Sequence, residues 1–322
     1  MKRIKNITDF ISENIYNNLN IDKAFIDEWV QIYNRQKDIG GTLKVVNDVI
    51  QFDSPYINCL TIADPDLLVD GHLPKYEFNI LNGAGYVLDI RCDAFTDFRN
   101  IPAADSLKIV IDGRVARPKI KDFKQIDNCD YLSIELHGKT NIVTLADIKP
   151  FINQLTLLDV PNTPELLSSA KGLTFKRKEI DKNGLVTNYD FAFDAAGSRP
   201  LTDFFKNNRF TGAFKIDLFN AYINDFSWMK YMPDRIAKLY LMCPSIDPHD
   251  PIYYDFIEAC NSVLFSDKKM GMNFDGVGTT HFSAADIQKF IKTMEAQIMI
   301  SRTKIVTIQN RDKNDNLYNY YL

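Results

Sequence analysis

Two short stretches hold the residue types that could do chemistry. Asp275-Gly276-Val277-Gly278-Thr279-Thr280-His281 sets a carboxylate and an imidazole around two glycines, just ahead of a segment with helical periodicity. Backbone N–H groups at such a helix start can hold an anion. In an enzyme, His281 is the candidate general base there and Asp275 the acid that orients it, acting on a phosphate- or sugar-bearing substrate. The stretch lacks the lysine of a P-loop and the third glycine of a dinucleotide fingerprint, so a structural loop is the plainer reading. Asp247-Pro248-His249-Asp250-Pro251 gathers two carboxylates and an imidazole, but its prolines favour a turn over a metal site. The other histidines, His72 and His137, stand at no metal-ligand spacing. Cys59, Cys92, Cys129, Cys243 and Cys260 include no Cys-x-x-Cys pair and read as free thiols of a reducing compartment. No nucleophile elbow and no recognisable Cys–His pairing is present, so neither cofactor nor metal is expected.

Composition narrows the partners. The 322 residues are 45% hydrophobic and 25% charged, ordinary for a globular chain with ample core. A net charge of −4 argues against a general polyanion binder, so nucleic acid is not expected. Two basic clusters, Lys176-Arg177-Lys178 and Arg114 with Arg117, Lys119, Lys121 and Lys124, read as solvated faces. No apolar run approaches the roughly 18 residues of a membrane span. Met1-Lys2-Arg3-Ile4-Lys5-Asn6 is followed by no apolar region of a secretory signal, so a cytoplasmic protein is expected.

The elements that would position any site come from a repeat. Asp97-Phe98-Arg99-Asn100-Ile101 returns as Asp122-Phe123-Lys124-Gln125-Ile126 and again, more loosely, from Asp147-Ile148, each time 25 residues on (122 − 97, 147 − 122). Between these units the alternating runs Leu107–Ile111 and Leu132–Leu136 keep the same offset (132 − 107). A strand and an apolar connector renewed at that interval imply stacked coils. Shorter alternating runs at 49–52, 59–62, 77–80 and 87–90 lead in, and 155–158 and 173–175 follow. Asp181-Lys182-Asn183-Gly184 between the alternating runs Leu173 to Ile180 and Leu185 to Phe193 predicts a tight hairpin over 173–193, and 194–212 a mostly irregular connector. Leu88 to Phe98 can be laid on Ile216 to Phe226 at a constant offset of 128 (216 − 88), which predicts that the coil resumes, with a further strand near Leu239. Apolar stripes predict helices over 4–19 and 22–36, with Asp22 as an N-cap, and over 251–265 and 284–300. A second hairpin is predicted around 310–315. The expected fold is an α/β solenoid of short parallel strands with a helical cap at 1–42, coils over 43–245, a hairpin and connector inserted at about 176–212, and a helical cap with a hairpin at 246–322.

A strand, a bend and an apolar connector at periods of 18 to 25 residues resemble the leucine-rich repeat family, over roughly 58–175 and 214–242. Cys92 and Asn220 stand near the position where that family places a Cys or Asn to hydrogen-bond the turning backbone, one residue early. The amino-terminal Ile4-Lys5-Asn6-Ile7-Thr8-Asp9-Phe10-Ile11 before irregular repeats also resembles uncharacterised repeat proteins of bacteriophages and gut bacteria, which would place the chain in a host cytoplasm. What the family resemblance implies is a row of strands whose outward residues bind a macromolecule. Those residues are Asp89, Arg91, Lys108, Val110, Ser133, Glu135, Thr156, Lys215, Asp217, Lys238 and Tyr240. Their mixed charges with one aromatic suit another protein. The expected function is therefore a non-enzymatic interaction module, an inhibitor or adaptor. The alternatives are a hydrolase or transferase using the 275–281 loop and a carbohydrate-binding β-helix.

Overall fold

Strands that recur at one interval can bury their apolar columns only by lying side by side, and the chain does this twice. The computed structural model describes residues 23–53, 58–80, 85–176, 191–194, 197–219, 228, 231, 235–242, 272–273, 307–311 and 317–321. The chain forms two compact units: Met1–Val143 with Asp147–Pro150, and Thr144–Ala146 with Phe151–Leu322.

The first unit begins with helix α1 (Lys23–Arg35), whose Ile26, Trp29, Val30 and Tyr33 form the buried stripe expected from their spacing. Strands β1 (Leu43–Val46) and β2 (Val49–Phe52) form an antiparallel hairpin. Its turn residues Asn47 and Asp48 both take positive φ, as a tight hairpin requires. After β3 (Cys59–Ile62) comes β4 (Phe78–Asn79), which pairs parallel to β2. Then β5 (Tyr86–Ile90), β6 (Ala104–Asp112) and β7 (Cys129–His137) add to β3, all parallel and one per coil. The register lines up two inward columns, Leu60-Leu88-Ile109-Ile134 and Ile62-Ile90-Ile111-Leu136. Every member of both columns is at most 1% exposed. The 25-residue offset seen in the sequence is the register of β6 on β7, where Leu107 meets Leu132.

The return path of each coil carries the repeated Asp-Phe segments. Phe98 and Phe123, 25 positions apart, are both fully buried and stack at 5.4 Å between ring centroids. Asp97 turns the backbone there by accepting from the Arg99 N–H at 3.0 Å, and Asp122 does the same for Lys124 at 3.3 Å. Asparagines bind coil to coil: Asn100 donates to the Leu73 carbonyl at 2.9 Å, and Asn128 donates to the Ile101 carbonyl. Both carbonyls precede a proline, Pro74 and Pro102. At the edge of β3, α1 supplies the missing partners. Tyr33 Oη donates to Cys59 O and accepts from Thr61 N, while Gln36 donates to Thr61 O and accepts from the N–H groups of Ala63 and Asp64.

The second unit stacks β8 (Phe151–Leu158), β10 (Phe191–Asp194), β12 (Ala213–Phe219) and β13 (Arg235–Met242), again parallel. Register aligns Leu155 with Phe191, Ile216 and Leu239. Strands β14 (Met272–Asn273) and β15 (Thr307–Arg311) continue parallel, and β16 (Leu317–Tyr321) turns back antiparallel, the second hairpin expected from the sequence. Helices α2 (Thr163–Ser169) and α3 (Ser198–Asn207), with the parallel pair β9 (Thr174–Lys176) and β11 (Arg209–Thr211), complete the described part.

Two expectations change here. Residues 194–212 are not mostly irregular, because Leu201, Phe204 and Phe205 line one buried face of α3. The arms of the hairpin expected over 173–193 do not face one another in the described part: β9 pairs parallel with β11, and β10 is a coil strand lying parallel between β8 and β12. Phe191, Ala192 and Phe193 are each at most 3% exposed, the burial on both faces that an interior parallel strand demands. The hairpin turn at 181–184 and the helices expected over 4–19, 251–265 and 284–300 lie outside the described residues. Among the described residues no helix is long and apolar enough to cross a membrane.

Candidate functional site

Alternation along β5, β6 and β7 buries one face and turns the other outward, so the outward row is fixed by the same register as the core. It aligns Asp89 with Val110 and Glu135, and Val87 with Lys108 and Ser133. The charged members are held by one another. Arg91 grips Asp89 through Nε at 2.9 Å and a terminal nitrogen at 2.8 Å, and its other terminal nitrogen donates to Asp38 O. Glu135 contacts the Lys108 ammonium with one carboxylate oxygen and meets His137 Nε2 at 2.7 Å with the other. Asp112, opposite His137 in the register, takes a bidentate contact from Arg114 at 2.9 and 2.8 Å.

The electrostatics follow from these contacts. Burial pushes the Glu135 carboxyl up, but hydrogen bonds from Lys108 and His137 more than offset it and leave it below the ordinary 4.5. Arg114 bonds, opposed by partial burial and aided by His137, hold Asp112 low as well. The imidazole of His137 therefore rests on the Glu135 carboxylate, with its side chain only 17% exposed, and His137 stands opposite Asp112 in the register. Among the described residues no group of three or more metal-binding side chains could hold a metal ion. Cys59, Cys92 and Cys129 are free thiols, as expected, and burial pushes Cys129 up to about 12 with help from Asp130 and Asp127.

The outward residues expected from the sequence divide accordingly. Asp89, Arg91, Lys108, Val110 and Glu135 share the strand face of the first unit. Ser133 and Thr156, expected at the surface, are each only 6% exposed. In the second unit Lys215 pairs in register with Lys238, and Asp217 with Tyr240, on β12 and β13. Asp247, His249, Asp250, Asp275 and His281 lie outside the described residues. His137 was not among the outward residues expected from the sequence. The signal was available: the 25-residue offset sets it opposite Asp112, and it stands two residues beyond Glu135 on the same face of one strand.

Parallel strands stacked one per coil, with columns in register and a turn that repeats, define a β-solenoid-like repeat protein. Compared with known protein families, curated proteins and solved structures, the chain matches none.

Proposed function

We propose that the protein is a non-enzymatic interaction module, leucine-rich-repeat-like in its coils, that presents the strand face of its parallel stack to another protein as an inhibitor or adaptor in a bacterial or phage setting. The observation that carries this reading is the mutual pairing of the outward charges: Asp89 with Arg91, and Glu135 with both Lys108 and His137. Side chains already held in one geometry lose little conformational freedom when a partner arrives. Alternating signs along a rigid face also discriminate between partners by charge complementarity. The strands of the second unit bring Lys215, Asp217, Lys238 and Tyr240 to corresponding register positions, and the same role is assigned to them.

Affinity capture from a lysate tests the reading. The intact chain is compared with Lys108→Ala/Glu135→Ala and with Lys215→Ala/Lys238→Ala/Tyr240→Ala, each checked for an unchanged circular dichroism melt. Loss of a protein partner from at least one folded variant is expected. Retention of every captured partner by both would remove the strand face as the binding surface.

A further inference from the structure

Beyond β6 the chain leaves regular structure, and exposure alternates residue by residue. Val115, Arg117, Lys119 and Lys121 are exposed, whereas Ala116, Pro118 and Ile120 between them are buried. Residues 113–115 form a turn in which the N–H groups of Val115 and Ala116 both donate to Asp112 O, and from there to Lys121, with a bend at Lys119, the solvent side carries one apolar and three cationic side chains. The segment is fixed by its neighbours in the adjoining coils. Asp93 accepts from the Arg117 N–H at 2.6 Å, and the Lys119 N–H donates to Phe95 O at 2.8 Å. On the other side the Val143 N–H donates to Lys121 O at 2.9 Å, and Asn141 Nδ2 donates to the carbonyls of Arg117 and Pro118. Three loops that follow β5, β6 and β7 thus form one rim, and the exposed Lys139 belongs to it.

Two independent observations mark this rim. The ammonium groups of Lys119, Lys121 and Lys139 form no ion pair with a carboxylate among the described residues, in a chain whose net charge is −4. Among large apolar side chains, Val115 at 63% and Val143 at 59% are the most exposed of the described residues. Solvent-facing valines flanked by unneutralised lysines match a ligand that is itself part apolar and part anionic.

We propose that this rim binds an extended acidic segment of a partner protein, with carboxylates facing Arg117, Lys119 and Lys121 and an apolar side chain at each end, one on Val115 and the other on Val143. A single-stranded nucleic acid would need aromatic platforms for its bases. Phe95 and Phe123, the aromatic side chains nearest in sequence to the rim loops, are both fully buried. The rim is a separate surface from the strand face, so either assignment can fail without the other.

Fluorescence anisotropy with the full chain tests this. The probes are a short labelled peptide of alternating glutamate and serine with a leucine at each end, the same peptide with glutamine for glutamate, and a labelled oligothymidine of similar length. Lys119→Glu/Lys121→Glu should weaken the acidic peptide about tenfold or more, two attractions having become repulsions. Lys119→Gln/Lys121→Gln should lie between that variant and the parent. Val115→Ser/Val143→Ser should weaken binding about threefold, and Lys108→Ala should leave it unchanged. All these positions except Lys108 are exposed, so each variant is first confirmed folded by its thermal melt. Binding that survives charge reversal within twofold, equal binding of the glutamine peptide, or tighter binding of oligothymidine than of the acidic peptide would each overturn the proposal.

Discussion

The two units use one architecture with different fillings. In the first, successive coils bring Leu60, Leu88, Ile109 and Ile134 together at spacings of 28, 21 and 25 residues, and the connectors are loops bound by Asp and Asn side chains. In the second, Leu155 and Phe191 are 36 residues apart before the spacing falls to 25 and then 23 at Ile216 and Leu239. The longer connector leaves room for α2, and α3 lies in the next one. The space between helices and sheet is filled by rings. Phe175 stacks on Phe210 at 5.0 Å, while Phe204 meets both Phe175 and Phe191 edge-on at 5.2 and 5.8 Å. Both units bury rings inside their coils, Phe95, Phe98 and Phe123 in the loops of the first, but the rings of the second also fill the space between the sheet and the helices that its connectors carry.

The strongest way to break this comparison is to empty the aromatic interior. Phe204 is fully buried among rings, so Phe204→Ala should cost about 3–5 kcal/mol in urea unfolding. The two tryptophans make the result readable, since Trp29 belongs to the first unit and Trp228 to the second, where it stacks on Phe205. In a Trp29→Phe background the Trp228 fluorescence transition should fall by that amount. A shift below about 1 kcal/mol would mean that the rings do not hold the second unit together.

Glycines sharpen the contrast at the next level. A Cβ on Gly113, in the first unit, would stand 2.2 Å from the Lys139 backbone oxygen, so Gly113→Ala must push two coils apart and should cost about 3 kcal/mol. Gly172, in the second unit, has φ +72° and nothing within 4 Å of such a Cβ, so Gly172→Ala carries only the left-handed backbone strain, about 1 kcal/mol. Equal losses in the two urea midpoints would contradict the idea that close coil approach distinguishes the units. Asn100 has φ +61°, so Asn100→Gly removes its coil-to-coil bond without adding left-handed strain and should cost about 1 kcal/mol by the same measurement, and no loss would mean that water replaces the bond to Leu73 O.

How far the fold could be read in advance follows the same division. The 25-residue offset of Leu107 and Leu132 appears directly as a register because coils closed by short loops keep their length, and the 23-residue step from Ile216 to Leu239 is also present. Where a connector lengthens, the period is lost. Phe191-Ala192-Phe193 then resembled a hairpin arm beside Asn183-Gly184, since local turn chemistry is visible in a sequence and a parallel neighbour 36 residues away is not. The outward charges Asp89, Lys108 and Glu135 were legible from alternation alone, but their pairing was not. Ser133 and Thr156 are buried although alternation puts them outside, because burial depends on what covers the strand and not on its period.

The smallest expected effect concerns acid, and it bears on the first unit. Asp97, Asp112 and Glu135 all lie in its coils with carboxyls held below their ordinary range. For Glu135, burial works against ionisation, and the hydrogen bonds from Lys108 and His137 reverse the balance. A carboxyl whose folded value is depressed contributes stability that is present above its unfolded value near 4.5 and is lost as pH falls through the lower folded value. Glu135→Gln removes that contribution, so its stability should decline less steeply than the parent's as pH drops from about 5 to about 3. At neutral pH the loss should not exceed about 1 kcal/mol, because Lys108 is 37% exposed and its pairing is screened by solvent. Urea midpoints followed through Trp29 in a Trp228→Phe background measure both quantities. If parent and variant decline in parallel over that range, the pairing of Glu135 with Lys108 and His137 contributes nothing to the fold, and the ordered strand face would lose its physical basis.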